Sequence, residues 1–112
     1  MPQHYAGTTG VTLLIHTLST GTTGDMDWDA AFESLASQDH DSDGFAAVNS
    51  TDNTSVNGTS GVETVVSITF TDGADMDSVA AGNAFRLKIT HDNTGDSNSD
   101  TLQITNVELR ET

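Results

Sequence analysis

The sequence predicts an all-β protein: an antiparallel β-sandwich, jelly-roll-like in its arrangement. Short segments of alternating apolar and polar residues recur along the chain, which is the period-two pattern of a strand with one buried face. Stretches rich in Gly, Ser, Thr, Asn and Asp separate these segments, as expected for turns. The 112 residues are enough for one domain with its own core.

The chain divides into two parts on this interpretation. Residues 1–10 are polar and contain two glycines, so we expect an extended N-terminal arm, and residues 11–112 form a single sandwich domain. The N-terminus has no basic segment followed by an apolar one, so no signal peptide is expected. The longest apolar run, from Val11 to Leu18, is too short and too interrupted to span a membrane.

The first strand begins at Val11 and alternates apolar residues with more polar ones. Leu14 and Leu18 interrupt its polar side. Apolar residues on both faces of a strand indicate burial on both sides or contact with another chain.

Residues 26–35 fit two secondary structures. On a helix, Trp28, Phe32 and Leu35 would share one face. On a strand, Trp28, Ala30 and Phe32 would point to the same side. The all-β surroundings favour the strand, which is our prediction.

Three further segments and a connector follow. Residues 45–48 are expected to form a short strand, and residues 49–61 a polar loop or weak edge strand. Residues 62–71 alternate clearly and form a strand that directs Val65 outward. The connector after it is expected to contain one helical turn at 76–81.

The last two strands, 85–90 and 101–111, are expected to form a hairpin around a ten-residue polar loop. The apolar residues are at even positions up to Ile104 and at odd positions from Val107 onward. One extra residue between them would return all of them to one face, so a β-bulge is predicted near Thr105. All three basic residues of the chain lie in this hairpin, where we expect them to pair with acidic groups across strands, Glu108 among them. They are Arg86, Lys88 and Arg110.

The charge balance excludes several classes of partner. Three Lys+Arg against 17 Asp+Glu give a formal net charge of −14, which repels nucleic acid phosphates and anionic membrane surfaces. Nucleic acid and membrane partners are therefore not expected. The chain has no cysteine, so it has neither a disulfide framework nor a thiolate metal site.

An acidic stretch resembles the start of a calcium-binding loop. Asp39, Asp41 and Asp43, followed by Gly44, match ligand positions 1, 3 and 5 and the glycine of an EF-hand loop, but Ser50 stands where a bidentate Glu is required. An acidic turn is the favoured interpretation, and a weak calcium site is the alternative. No other cofactor is predicted.

The sequence contains no recognisable catalytic constellation. The four histidines lack the spacing of metal ligands, and no nucleophile stands in a known motif. The protein is therefore expected not to be an enzyme.

One pattern covers most of the chain and consists of segments 5–7, 24–33, 67–71, 77–90, 100–101 and 107–110. These segments resemble a group of short tailed-phage virion proteins and phage-derived domains, which carry an "aGd-x-frlk-x-xRD" strand and loop and end in a "v-x-l/i-r" strand. Two positions depart from the pattern: Asn83 stands where Asp is usual, and His91 where Arg is usual.

The resemblance implies a non-enzymatic virion component with a jelly-roll-like fold. The first expectation is a capsid decoration (cement) protein on the outer surface of the head, a homotrimer that bridges copies of the major capsid protein. Tyr5 in the arm, with Leu14 and Leu18, would then contact the partner. Two alternatives remain: an accessory subunit of the tail, fibre or baseplate, and a small carbohydrate- or calcium-dependent adhesion module.

Overall fold

A computed structural model describes residues 1–36 and 44–112, and all the structural statements below refer to these ranges. The elements are strands β1 to β6 and one 3₁₀ turn. In chain order they are β1 (Val11–Ser19), β2 (Asp25–Ser34), β3 (Asn49–Ser55), β4 (Thr64–Phe70), the 3₁₀ turn (Ala74–Met76), β5 (Phe85–Asp92) and β6 (Leu102–Glu111).

The strands form two antiparallel three-stranded sheets that pack on each other. Sheet A has the order β4-β1-β6 and sheet B the order β3-β2-β5. The predicted β-sandwich is therefore confirmed. Its jelly-roll form is not confirmed, because a jelly roll has about eight strands and the described residues contribute six.

The core lies between the two sheets and follows the alternation of the sequence. In β1 every second residue from Val11 to Thr17 is buried. Phe32 of β2 lies at the centre, with its ring edge-on to Phe70 at 4.8 Å between centroids and tilted against Phe85 at 5.2 Å. Such aromatic pairs contribute about 0.5–1.5 kcal/mol each beyond the area that they bury.

The strand prediction for residues 26–35 is confirmed by β2, the central strand of sheet B. Buried and exposed residues do not alternate along β2, because both faces of the strand are covered. Phe32 on the inner face is fully buried, and so are Ala31 and Glu33 on the outer face. On the outer face Arg86 and Lys88, the partners of Glu33 and Ala31 in β5, lie against the ring of Phe45. The Ala46 amide donates to the Phe32 carbonyl at 2.8 Å and extends the pairing along the edge of β2.

The predicted terminal hairpin is wrong. β5 pairs with β2 in sheet B, and β6 pairs with β1 in sheet A. The polar loop between them is long enough to cross the roughly 10 Å between packed sheets. Two backbone hydrogen bonds hold this loop in place, from Thr20 to Thr101 at 3.1 Å and from Asn98 to Asp25 at 3.0 Å.

The predicted bulge in β6 is confirmed. His16 lies opposite Asn106, and the next residue of β1, Thr17, lies opposite Ile104, so Thr105 is the extra residue. The bulge returns the side chains on both sides of it to one face of the strand.

Two local assignments in the middle of the chain are corrected. Residues 45–48 form no strand, and the edge strand is instead β3. Its polar residues fit this position because their side chains hydrogen-bond to the neighbouring edge of β4. The Asn49 amide donates to the Thr69 carbonyl and the Thr51 hydroxyl to the Ser67 carbonyl, both at 2.8 Å. The helical turn precedes its predicted position, at Ala74–Met76.

The N-terminal arm is not confirmed, because residues 1–10 are tied to the sandwich. The Met1 ammonium donates to the Asn83 carbonyl at 2.7 Å, and the Gly82 amide donates to the Met1 carbonyl at 3.0 Å. Tyr5 is only 6% exposed and belongs to the core. The segment is therefore part of the packed fold.

Candidate functional site

The structure separates the residues that the sequence nominated for function. Tyr5 is buried in the core, so little of its side chain is available to a partner. Leu14 and Leu18 lie half-buried on the outer face of β1, where the sequence placed them. The calcium candidates Asp39, Asp41 and Asp43 lie outside the described residues.

The outer face of sheet A carries three partly exposed apolar side chains around His16 of the middle strand. Leu14 lies on the middle strand, opposite Ser67 of β4 and Glu108 of β6. Val65 of β4 points outward as predicted and is 48% exposed. We call Leu14, Leu18 and Val65 the β1 outer patch. A solvent-facing antiparallel sheet normally carries polar residues here, so these side chains offer apolar area to a partner.

Polar groups lie among the apolar side chains of the β1 outer patch. His16 stands between Leu14 and Leu18 on β1 and opposite Val65. Its ring Nδ1 lies 3.2 Å from Oε2 of Glu63, and Nε2 lies 3.3 Å from Oε1 of Glu108. Hydrogen bonds from the Thr105 hydroxyl and from His16 hold the pKa of Glu63 below its ordinary value. Glu63 therefore adds a negative charge to the patch at neutral pH.

The two lateral sides of the sandwich differ. On one side, side chains of β3 bridge to β4, as described above. On the other side β5 and β6 are likewise the last strands of their sheets, and no strand within residues 1–36 and 44–112 pairs with their outer edges. We call this the open side. The Ala6 amide contacts Oε1 of Glu111 at the end of β6.

The open side exposes apolar residues of the inner face of β6. Ile104 and Val107 lie opposite Thr17 and Ile15, which are buried, yet they are themselves 48% and 42% exposed. Leu102 and Leu109 on the same face are partly buried against the core. An unpaired strand edge flanked by apolar side chains is a template for pairing with another strand.

The three basic residues contact other groups of the fold. Arg86 pairs across strands with the fully buried Glu33 of β2, whose other oxygen accepts the Gly44 amide at 3.0 Å. Lys88 lies over the ring of Phe45, 4.5 Å from its centroid. Arg86 therefore holds a buried carboxylate in place; it is not an exposed binding residue.

Arg110, the third basic residue, makes its ion pair within one strand. Its guanidinium donates to Glu108, two residues earlier on the same face of β6. The prediction of cross-strand pairing is thus confirmed for Arg86 and wrong for Arg110. The contact neutralises one of the two carboxylates beside His16.

Among residues 1–36 and 44–112, no group of three or more His, Cys, Asp or Glu side chains is arranged to hold a metal ion. Within the same ranges, no helix has the length and apolar character needed to cross a bilayer.

Comparisons of the chain with family models, curated proteins and solved structures find no match.

Sequence reasoning missed the exposure of Ile104 and Val107. Both were assigned to a buried hairpin face, and their inward direction is correct. Their exposure arises because β5 and β6 lie in different sheets, which the alternation within a single strand does not reveal. The exposure of Val65 was predicted, because it follows directly from the alternation in β4.

Proposed function

We propose that the protein is a non-enzymatic structural subunit of a tailed-phage virion, a capsid decoration protein on the outer surface of the head. Its partner is the major capsid protein. Two observations support the proposal: the resemblance of residues 67–71, 77–90 and 107–110 to short virion proteins, and the β-sandwich fold. The observation that carries it is the β1 outer patch on the central strand of sheet A.

The β1 outer patch defines the chemistry of the partner surface. Leu14, Leu18 and Val65 require an apolar counterpart, because burying a Val or Leu side chain contributes about 1.5–3 kcal/mol. Glu63 beside the patch and the net charge of −14 favour Lys and Arg around that counterpart. The capsid surface at the docking position therefore combines apolar side chains with Lys or Arg beside them.

The location and copy number of the protein in virions test this function. In virions from cells that carry the gene, we expect immunogold particles to label the heads. Quantitative mass spectrometry should give hundreds of copies of the protein per virion. Tens of copies or fewer, located on tails, would favour the alternative of a tail or baseplate subunit. Absence from purified virions would refute the proposal.

Substitutions in the β1 outer patch test the docking surface. Leu14→Thr combined with Val65→Thr should reduce the affinity for heads lacking the protein by about tenfold or more, because apolar area is lost from the interface. Binding is measured by co-sedimentation with the heads. The matched control is Val48→Thr, at an equally exposed valine outside the patch (51%, against 48% for Val65). Equal binding by both variants would rule out this surface.

A further inference from the structure

The polarity pattern of β6 is symmetric about its bulge. Residues 102–109 read Leu-Gln-Ile-Thr-Asn-Val-Glu-Leu, with apolar residues at both ends and on both sides of the central Thr105-Asn106 pair. We propose that two copies of the chain pair through the free edges of β6, antiparallel and about a twofold axis between Thr105 and Asn106.

In this pairing every apolar residue faces an apolar residue. Leu102 lies opposite Leu109 of the second copy, and Ile104 lies opposite Val107 of the second copy. No other antiparallel register maps these four positions onto one another. Directly opposite residues in an antiparallel pair lie on the same face, so these apolar pairs stabilise the joined sheet.

The bulge makes this register possible. Leu102 and Ile104 have even numbers and Val107 and Leu109 odd ones, so in a regular strand they would point to opposite faces. Because Thr105 is an extra residue, all four lie on the inner face of sheet A. In the proposed pair the bulges of the two copies lie side by side, so both strands bend at the same point.

Most polar positions are compatible with this register. Glu108 faces Gln103 of the second copy, and Arg110 faces Thr101 of the second copy. Glu108 is already paired with Arg110 in its own chain. At each end of the pair Glu111 faces Asp100 of the second copy, so one pair of carboxylates at each end opposes the association, and salt should strengthen it.

The pairing also covers the residues that the open side exposes. Sheet A would continue through β6 into sheet A of the second copy, and Ile104 and Val107, now 48% and 42% exposed, would be buried against each other. A twofold axis makes this contact self-complementary. The inference replaces the homotrimer implied by the resemblance with a dimer. It is independent of the proposed capsid role, because docking uses the β1 outer patch.

Disulfide trapping tests the register. The chain has no cysteine, so Ile104→Cys with Val107→Cys introduces the only thiols. Within one chain the two positions are about 10 Å apart, beyond the roughly 7 Å that a disulfide allows, whereas opposite residues of a strand pair are within reach. We expect the oxidised variant to run as a covalent dimer. The control, Gln103→Cys with Val107→Cys, places the thiols on opposite faces, and equal dimer formation by both variants would overturn the register.

Sedimentation equilibrium tests the dimer in the chain without cysteines. We expect a mass near twice the 11.7 kDa of one chain at high protein concentration. Ile104→Glu should weaken association at least tenfold, and adding Val107→Lys should restore part of it, because the introduced charges face each other across the twofold axis. Val48→Glu is the control that leaves association unchanged. Circular dichroism checks that the half-exposed sites tolerate substitution. A monomer at every concentration, or a trimer, would overturn the proposal.

Discussion

At the residue scale, Tyr5 ties the N-terminal segment to the core. Its ring is buried, and its hydroxyl donates to Oδ1 of Asp72 at 2.7 Å. Burial disfavours the charged phenolate, and the neighbouring Asp72 carboxylate adds to this effect, so the pKa of Tyr5 is raised from 10.0 to about 12. A residue expected to contact a partner is instead part of what keeps residues 1–10 folded on the sandwich.

The raised pKa of Tyr5 predicts a loss of stability in alkali. The folded state holds the phenol proton more tightly than the unfolded chain, so this stabilisation is complete below pH 10 and is lost as the pH rises towards 12. Because Tyr5 is the single tyrosine, phenolate absorbance reports it directly. Tyr5→Phe should lower the free energy of unfolding by about 1 kcal/mol at neutral pH and flatten the alkaline decline. A titration midpoint at the ordinary tyrosine value would contradict the prediction.

At the scale of elements, the bulge in β6 decides which residues face the core. The extra residue, Thr105, keeps Leu102 and Leu109 on the inner face although an odd number of positions separates them. Its hydroxyl also donates to Glu63 and lies 3.3 Å from the His16 carbonyl. Thr105 thus sets the register of β6 on one side of the bulge, and its hydroxyl holds Glu63 beside the β1 outer patch.

Deleting Thr105 should destabilise the fold more than substituting it. Without the extra residue, one half of β6 turns its apolar side chains to solvent, which costs roughly 2–4 kcal/mol for the side chains involved. Urea unfolding measures the loss. Thr105→Ala is the control: it keeps the bulge and removes only exposed hydrogen bonds, so a change below about 1 kcal/mol is expected. Equal losses in the two variants would show that the bulge does not set the register.

At the scale of the whole molecule, the fold carries a large negative charge on a small body. The net charge is −14, and the extents of the chain are 43 × 28 × 18 Å. Arg86 and Arg110 are engaged with Glu33 and Glu108, so they compensate only two carboxylates locally. Repulsion among the remaining acidic groups opposes the compact state.

Salt should therefore stabilise the protein. At about 0.01 M ionic strength the Debye length is about 30 Å, comparable to the molecule, and at about 1 M it is about 3 Å. We expect the melting temperature to rise with sodium chloride over this range, and calorimetry measures it. An uncharged osmolyte at matched osmolality is the control for effects unrelated to charge. A melting temperature that falls with salt would show that attractive ion pairs outweigh the repulsion.

The alternation of apolar residues was enough to predict the sandwich, the strand nature of residues 26–35, the outward direction of Val65 and the bulge at Thr105. These features depend on neighbours within one strand, because side-chain direction in a strand repeats every two residues. Of the two candidate surfaces, the β1 outer patch could be predicted for the same reason, and the open side could not.

The sequence could not predict which strands pair with each other. The alternation in β5 and β6 is the same whether they form a hairpin or lie in separate sheets, and only packing around Phe32 and the crossing of the polar loop separates them. The burial of Tyr5 and the exposure of Ile104 and Val107 follow from that choice. Local sequence sets the direction of a side chain, whereas its exposure depends on which distant strand covers it.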